Sequence, residues 1–305
     1  MERIYDMIVI GGGPGGYTAA LYAARAGLDT LVLEKMSAGG QMALTTQIDN
    51  YPGFPDGVDG FTLGEQMQSG AERFGAKTEL AEVRSVRLDS QVKQVDTSEG
   101  LFYGKTVVFA TGASPRELGL PGEKELTGKG VNYCAHCDGM FYKDKTVVVV
   151  GGGNSAAADA LLLSRIAKKV IIVHRRDTLR ATKIYHEPLL QAKNVEFRWN
   201  HTVTKLLHSA KLTGIIVKDI NTGEETAIDC DGIFVSIGRI PATQLVQGQL
   251  VLDAAGYIIA GESTETNLPG VYAVGDVRTK VLRQVVTAVS DGASAAHHAE
   301  QYLSQ

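Results

Sequence analysis

The chain has 305 residues, of which 44% are hydrophobic and 21% are charged, as is typical of a soluble globular protein of about two domains. Thirty basic and 34 acidic residues give a net charge of -4, so no chain-wide positive field favours nucleic acid or an anionic membrane as partner. Three cysteines cannot form a disulfide framework, no signal peptide is recognisable, and no apolar run approaches the ~20 residues that span a bilayer. We therefore expect a cytoplasmic protein.

The first predicted elements are a strand, a glycine-rich turn and a helix. Residues 7–10 form an apolar run, glycines dominate residues 11–16, and small apolar residues then recur at helical spacing. A second apolar run at residues 31–33 ends at Glu34. This order predicts a βαβ unit of about 30 residues.

The turn carries the pattern Gly11-x-Gly13-x-x-Gly16. In this position glycines allow close approach of the backbone, and the helix amino terminus favours a pyrophosphate. Glu34, which lies 18 residues after Gly16, can accept hydrogen bonds from ribose hydroxyls and would repel a 2′-phosphate. The pattern predicts a dinucleotide site, with FAD as its resident; the alternative is a glycine-rich turn that only packs.

The same pattern returns 140 residues later. An apolar run at residues 147–150 precedes Gly151-x-Gly153-x-x-Ala156, and a further strand is predicted at residues 170–173. A repeat of this length indicates two nucleotide-binding domains rather than a solenoid.

The charge at the end of the second copy is reversed. His174 occupies the position of Glu34, and Arg175, Arg176 and Arg180 follow it. Guanidinium groups bind phosphate oxygens bidentately, so this segment predicts NADPH rather than NADH. The alternative is a solvated basic turn.

Two proline-terminated strands, at Pro115 and Pro241, mark the expected crossings between domains. The segment after the second crossing is too short for a third core, so we expect it to return to the first domain. It contains a predicted strand at residues 271–274, the carboxylate of Asp276 and a predicted helix at residues 284–303. Two consecutive domains with a carboxy-terminal appendage remain the alternative.

Cys134-Ala135-His136-Cys137 lies just before the second nucleotide fold. The spacing permits a reversible disulfide, and a redox pair is the logical electron acceptor of a flavin reduced by NADPH. Asp138, the next residue, is a candidate acid or base, and equally a turn former. Zinc held by these cysteines and His136 is the rival hypothesis, although no fourth local ligand completes a tetrahedron. Cys230 is expected to be a packed thiol.

Several motifs follow one another along essentially the whole chain, and their order resembles that of low-molecular-weight thioredoxin reductases. The conjunction of the cysteine motif with the basic segment is the specific part, because glycine loops alone indicate only a broad flavoprotein class. The motifs are GGGPGGYTAALYAARAG at 11–27, GGQ at 39–41, ATGASPR at 110–116, CAHCDG at 134–139, GGGNSAAADAL at 151–161, HRRDTLRA at 174–181 and GVYAVGDV at 270–277.

The resemblance implies an α/β fold of three-layer ββα type, with two Rossmann-like nucleotide-binding domains. The FAD domain would comprise residues 1–113 and 243–305, and the inserted NADPH domain, which carries the cysteine pair, residues 114–242. A homodimer would pass hydride from NADPH to FAD, and electrons then to the cysteine disulfide and to oxidised thioredoxin. The inserted domain would rotate about hinges near the two crossings.

By the family's motif, Cys137 would accept electrons from the flavin, Cys134 would attack the disulfide of thioredoxin, and Asp138 would donate the proton. The expected FAD contacts are Gly11, Gly13, Gly15, Gly16, Glu34, Gln41, Asn50, Ala110, Gly112, Asp276, Arg283, Gln284 and Val285. The expected NADPH contacts are Gly151, Gly153, Asn154, Ser155, His174, Arg175, Arg176 and Arg180. No metal is expected.

Other functions fit the same residues. The dithiol can serve another acceptor, such as a glutaredoxin-like or peroxiredoxin-linked protein, or pass electrons to oxygen as a dithiol oxidase. The retained basic segment argues against the oxidase. A non-enzymatic flavin redox sensor is the third alternative, for which the sequence offers no dedicated interaction module.

Overall fold

A computed structural model describes residues 3–305 of the chain and divides it into two compact units. Unit 1 comprises Met1–Ser114 and Ile240–Gln305, and unit 2 comprises Pro115–Arg239. The elements in chain order are β1 (Ile4–Ile10), α1 (Pro14–Arg25), β2 (Thr30–Glu34), α2 (Gly60–Glu72), β3 (Lys77–Leu80), β4 (Val83–Arg87), β5 (Lys93–Thr97), β6 (Gly100–Phe109), β7 (Ala113–Pro115), β8 (Val131–Asn132), α3 (Ala135–Asp138), β9 (Thr146–Val150), α4 (Asn154–Ser164), β10 (Lys169–His174), α5 (His186–Gln191), β11 (Val195–Trp199), β12 (His201–His208), β13 (Leu212–Asp219), β14 (Glu225–Asp229), β15 (Gly232–Val235), β16 (Arg239–Pro241), β17 (Val271–Ala273) and α6 (Val285–Leu303).

Unit 1 is built on a seven-stranded sheet. Strands β3, β2, β1 and β6 run parallel in that order, and β17 joins β6 in parallel after the chain returns from unit 2. Strands β5 and β4 continue the sheet antiparallel beyond β6. Because β1, β2, β6 and β17 are parallel, their carboxyl ends meet at one edge, where open α/β sheets bind ligands.

Both faces of the unit 1 sheet are covered, which explains why β1 is apolar without alternation. Met7 and Val9 pack with buried residues of α1 and α6, whereas Ile8 and Ile10 belong to the core on the other face. That second core also includes Val95 of the antiparallel strands. The segment that follows unit 2 contributes to both cores, with Val246 and Ala273 on one face of the sheet and Tyr272 and Ala295 on the other.

Unit 2 repeats this arrangement with a separate third layer. Its central sheet has the order β11-β10-β9-β15-β8, and all neighbouring strands in it are parallel. Alanines and Leu163 of α4 pack on one face. The antiparallel sheet β12-β13-β14 packs on the other face through residues such as Ile215 and Val217. The expected α/β class with Rossmann-like parallel sheets is confirmed.

The predicted repeat is also confirmed as structure. Strand β1, helix α1 and strand β2 recur as β9, α4 and β10, and each parallel strand pair is in continuous register. The chain enters unit 2 through β7 and leaves it through β16, and these two strands pair as a small sheet of their own. Their action as hinges stays a prediction. Among residues 3–305, no helix combines the length and apolar character required to cross a bilayer.

Candidate active site

The glycine loop of unit 1 lies at the carboxyl edge of its parallel sheet. Gly11 follows β1 in a left-handed conformation with φ of 102°, and an added Cβ there would collide with the carbonyl group of Ala110, which follows β6. A Cβ on Gly16 would strike the Gly11 carbonyl, and one on Gly15 would press on Val274 after β17. Packing within the chain therefore requires glycine at positions 11 and 16 and leaves little room for a side chain at position 15.

Gly13 is different, because nothing in the structure lies within 4 Å of the Cβ that it lacks and its φ is −76°. Its small size is therefore demanded neither by backbone strain nor by a neighbour in the chain. Gly13 is the amino-terminal cap of α1, and unpaired backbone N–H groups at such a terminus favour an anion. An open cradle at a helix amino terminus fits a ligand phosphate that approaches the backbone closely.

Glu34 is buried at the end of β2 and is fixed by three backbone donors. Its Oε2 accepts from the N–H of Gly12 at 2.6 Å, and its Oε1 accepts from Lys35 at 2.8 Å and Met36 at 3.1 Å. A carboxylate has about four lone-pair sites, so one remains for a ligand hydroxyl. The side chain is thereby oriented beside the glycine loop.

The segment at residues 39–41 reaches this loop. The Gly39 N–H donates to the carbonyl of Gly12 at 2.8 Å, and Gly40 lies against Gly13, which brings Gln41 to the loop. Across unit 1, Asn50 donates its side-chain amide to Gln284, the cap residue of α6, at 2.9 Å. Of the predicted unit 1 residues, Gly11, Gly13, Gly15 and Gly16 form the loop, Glu34, Ala110, Gly112 and Asp276 lie at or just after the carboxyl ends of parallel strands, and Gln41 follows Gly40. Arg283, Gln284 and Val285 lie at the start of α6, and Asn50 reaches them through Gln284.

Arg283 supplies an unsatisfied donor near the start of α6. Its guanidinium lies 4.2 Å from the centre of the Tyr257 ring, and its Nε is buried with no hydrogen-bond partner in the described part of the chain. A buried donor without a partner is costly, so it is a natural contact for a polar ligand atom.

The glycine loop of unit 2 has the same construction. Gly151 is left-handed with φ of 143°, and a Cβ on it would strike the carbonyl of Ser236, which follows β15. Gly153 caps α4, and nothing lies within 4 Å of its missing Cβ. The loop therefore offers a second open cradle at a helix amino terminus.

His174 takes the place that Glu34 has in unit 1, because its ring lies directly under Gly152 and is 5% exposed. Burial and then the neighbouring Arg175 and Arg176 lower the pKa of His174, so the ring is neutral near pH 7. Its Nε2 has no partner within residues 3–305. The histidine thus presents a polar ring edge to the loop, and the arginines carry the charge.

The basic segment is attached to this loop through its backbone. The N–H groups of Arg180 and Ala181 both donate to the carbonyl of Gly152, at 2.6 and 3.0 Å. The side chains of Arg175, Arg176 and Arg180 are exposed. Asn154 accepts from the Thr182 N–H at 2.8 Å, and Ser155 is exposed at the start of α4. The predicted residues of the second nucleotide site therefore lie together.

The cysteine pair follows β8, the edge strand of the unit 2 sheet. Cys134 and Cys137 are joined by a disulfide across the short helix α3, with their Cα atoms 5.3 Å apart. The N–H of Cys137 donates to the sulfur of Cys134 at 3.2 Å. Cys134 is half-buried and Cys137 is exposed within unit 2. The pair therefore forms the redox-active disulfide that the spacing predicts.

Asp138 ends this helix, and burial raises its pKa from the ordinary value of 3.8 to about 6. A carboxyl group with such a pKa can hold and release a proton near neutral pH, as a general acid or base requires.

Cys230 is buried, and burial together with two aspartates raises its pKa to about 12, so this thiol is inert as expected. Within residues 3–305, no three histidine, cysteine or acidic side chains are grouped to hold a metal ion.

Sequence reasoning did not single out Asp291 of α6, which binds Arg278 and Lys280 in a buried cluster behind the unit 1 loop. The available signal was an aspartate on the alanine- and glycine-rich face of a helix. It also overlooked buried Glu123, which accepts from the Tyr133 hydroxyl, one residue before the cysteine pair, at 2.9 Å.

Comparison with known proteins agrees with this geometry. The family model for pyridine nucleotide-disulphide oxidoreductases matches residues 5–292. A curated thioredoxin reductase of Listeria innocua is 44% identical over 305 residues, covering 100% of this chain and 95% of the relative. A curated thioredoxin reductase of Streptomyces clavuligerus is 47% identical, and the alignment covers 99% of this chain and 95% of the relative. The chain belongs to the thioredoxin reductase family. A solved thioredoxin reductase of Streptococcus pyogenes, 40% identical, aligns with a TM-score of 0.93 over 100% of this chain and 99% of that structure.

Membership of the thioredoxin reductase family confirms the resemblance inferred from the ordered motifs. It also agrees with the disulfide between Cys134 and Cys137 in the structure. The alignments with relatives extend across both units, so the family assignment applies to the whole described chain rather than to one nucleotide-binding fold.

Proposed function

We propose that this chain is an NADPH-dependent thioredoxin reductase, with FAD held by unit 1 and NADPH by unit 2. The observation that carries the proposal is the Cys134–Cys137 disulfide in the same unit as the glycine loop with its exposed arginines. When bound, the two cofactors supply hydride and two-electron transfer from the nicotinamide to that disulfide. The resulting dithiol reduces the disulfide of thioredoxin by thiol exchange.

The unit 1 loop fits FAD. Gly13 leaves room for a pyrophosphate at the start of α1, and Glu34 keeps an acceptor for ribose hydroxyls beside it. The buried Nε of Arg283 needs an acceptor. In addition, a carboxylate in the position of Glu34 would repel a 2′-phosphate, which favours FAD over NADPH at this loop. We propose that the other predicted unit 1 residues complete the FAD site: Gln41, Asn50, Ala110, Gly112, Asp276, Gln284 and Val285.

The unit 2 loop fits NADPH. Gly153 leaves room for the pyrophosphate, and the unpartnered Nε2 of His174 needs a polar group on the ligand. Arg175, Arg176 and Arg180 provide guanidinium groups for a 2′-phosphate. Asn154 and Ser155 lie at the amino terminus of α4, where they can contact the same nucleotide.

Within the cysteine pair, we assign electron uptake to Cys137 and attack on thioredoxin to Cys134, as in the family. The N–H of Cys137 that donates to the Cys134 sulfur supports this assignment, since the same donor would stabilise a Cys134 thiolate after reduction. Asp138 would donate the proton to the departing thiolate, and its raised pKa keeps part of the carboxyl protonated near neutral pH.

Asp138→Asn is expected to slow the reduction of thioredoxin about 100-fold. Because burial raises the pKa of Asp138 to about 6, the acid form is complete below that pH and is lost as the pH rises through it. The wild-type rate of thiol exchange should therefore fall above about pH 6, and the variant should lack this inflection. Rapid-mixing measurements of the thiol-exchange rate between about pH 5 and about pH 8 would locate this inflection. Asp231→Asn, an exposed carboxylate in the same unit, is the control; an inflection kept by the Asp138 variant would remove this role.

For the assembly and setting, we propose a homodimer in the cytoplasm that binds thioredoxin and neither nucleic acid nor membrane. The net charge of -4 provides no general attraction for polyanions. A reducing compartment suits a catalytic disulfide and a buried free thiol such as Cys230.

Anaerobic titration of the purified protein with NADPH tests the function. We expect a yellow protein that consumes about two equivalents of NADPH per chain, one for the flavin and one for the disulfide. Oxidised thioredoxin should then restore NADPH consumption, whereas glutaredoxin-like proteins and oxygen should not. A colourless protein would overturn the proposal, and rapid turnover with oxygen alone would replace it with dithiol oxidase chemistry.

A further inference from the structure

We propose that Asp291 is a positioning residue for FAD, because with Arg278 and Lys280 it forms a buried charged cluster that locks the segment after β17 to α6. The inference rests on the proposed function, in which this segment and the start of α6 contact the flavin nucleotide. We call these three residues the Asp291 cluster. All three side chains are 7% exposed or less.

The helix that carries Asp291 is itself fixed to the glycine loop. Gly292 lies so close to α1 that a Cβ on it would collide with the carbonyl of Gly15 and the backbone of Ala19. Helix α6 therefore has a defined height and rotation relative to the loop that receives the pyrophosphate. Any group that is hydrogen-bonded to Asp291 is therefore held at a fixed position relative to the glycine loop.

Four donors converge on the Asp291 carboxylate. The N–H of Gly275 donates to Oδ2 at 2.8 Å, and Lys280 Nζ donates to the same oxygen at 2.6 Å. Arg278 donates from Nε to Oδ2 at 3.0 Å and from Nη2 to Oδ1 at 2.8 Å. The bond to Gly275 holds the residue immediately before Asp276, which is one of the proposed FAD contacts.

The two cations extend the cluster to other parts of unit 1. Arg278 donates from Nη1 to the carbonyls of Ala260 and Thr279, both at 3.0 Å. Lys280 also donates to the carbonyl of Thr287, in the first turn of α6, at 3.2 Å. The segment between β17 and α6 is thus tied to one helix at Gly275, Arg278 and Lys280, and Arg283 and Gln284 follow these ties at the end of the segment.

The Asp291 cluster contains two cations and one carboxylate, so no other carboxylate within the cluster can balance the charges of Arg278 and Lys280. Burial opposes its ionisation, but hydrogen bonds from Arg278 and Lys280 outweigh burial and lower its pKa. Removal of this carboxylate charge would leave two buried cations uncompensated and would displace the segment that carries them. The cluster lies behind the proposed contacts, so its effect on FAD would act through their position.

The test compares FAD retention by the purified holoenzyme and its variants, measured as flavin fluorescence released on dilution, with thermal unfolding recorded in parallel. Asp291→Asn keeps the shape and removes the charge, and we expect the dissociation constant for FAD to rise about tenfold or more. Lys280→Met leaves the Arg278 pair intact and should give a smaller rise in the same direction. If Asp291→Asn does not fold, the Lys280→Met variant alone tests whether the Asp291 cluster affects FAD affinity.

Glu123→Gln is the matched control. Glu123 is also a buried carboxylate with several donors, from Leu118, Gly119, Leu120 and Tyr133, but it lies in unit 2. We expect it to lower the unfolding temperature without changing FAD affinity. An unchanged FAD dissociation constant in both cluster variants would overturn the inference and leave the proposed function intact. A wild-type protein that holds no FAD would overturn both.

Discussion

Cys137→Ser is expected to abolish thioredoxin reduction, by at least about 1,000-fold, while the protein still accepts electrons from NADPH. The physical reason is that a serine cannot form the disulfide with Cys134, so the second pair of electrons has no acceptor. In the anaerobic titration the variant should consume about one equivalent of NADPH instead of about two. Absorbance of the flavin band against added NADPH measures this difference directly.

Cys230→Ala is the matched control for the electron count. This thiol is buried in unit 2, and its pKa is raised to about 12, so it is neither exposed nor ionised at neutral pH. We expect the control to keep the wild-type stoichiometry and rate. If Cys137→Ser consumed as much NADPH as the wild type, the cysteine pair would have no place in the mechanism.

Replacing both Arg175 and Arg176 with glutamine is expected to raise the KM for NADPH about 100-fold and to leave the KM for NADH nearly unchanged. Each exposed guanidinium is proposed to make charge-assisted hydrogen bonds to the 2′-phosphate, and two such bonds are together worth at least about 3 kcal/mol. NADH has no 2′-phosphate and so loses nothing. Steady-state kinetics with thioredoxin in excess and each cofactor varied give the two values.

Arg165→Gln provides the control, because Arg165 is exposed at the carboxyl end of α4, opposite the glycine loop. It removes one positive charge from unit 2 without touching the proposed site, so both KM values should remain. An equal loss with NADPH and NADH in the double variant would show that the arginines act on fold or general charge rather than on the phosphate.

Much of the fold was predictable because the glycine patterns and the buried strands are local signals. Strand β9 lies between β10 and β15, and both faces of the sheet are covered by other elements. The run at residues 147–150 is therefore apolar without alternation, and this pattern is visible in the sequence. The spacing of Cys134 and Cys137 permitted the disulfide, and the two nucleotide patterns in the same chain favoured it over a zinc site. Helix α6 begins one residue after its predicted start, because Gln284 serves as its cap.

Other features depend on packing between distant segments and leave no local signal. The pattern placed His174 beside three arginines, but only the pairing of β10 with its neighbours shows the ring beneath Gly152. The Asp291 cluster joins residues from the end of β17 to the middle of α6, and an isolated aspartate among alanines did not indicate its partners. The open space at Gly13 likewise became visible only when neighbouring atoms were in place.

The order of the segments has a consequence for biosynthesis on the ribosome. Unit 2 is one uninterrupted stretch, so it can fold as soon as its own residues have emerged. Unit 1 must wait, since β17 fills its sheet beside β6 and α6 covers α1 only after residues 271–303 have been translated. Helix α1 is therefore synthesised early, and the apolar surface that it presents to α6 stays uncovered on the nascent chain until residues 285–303 have emerged.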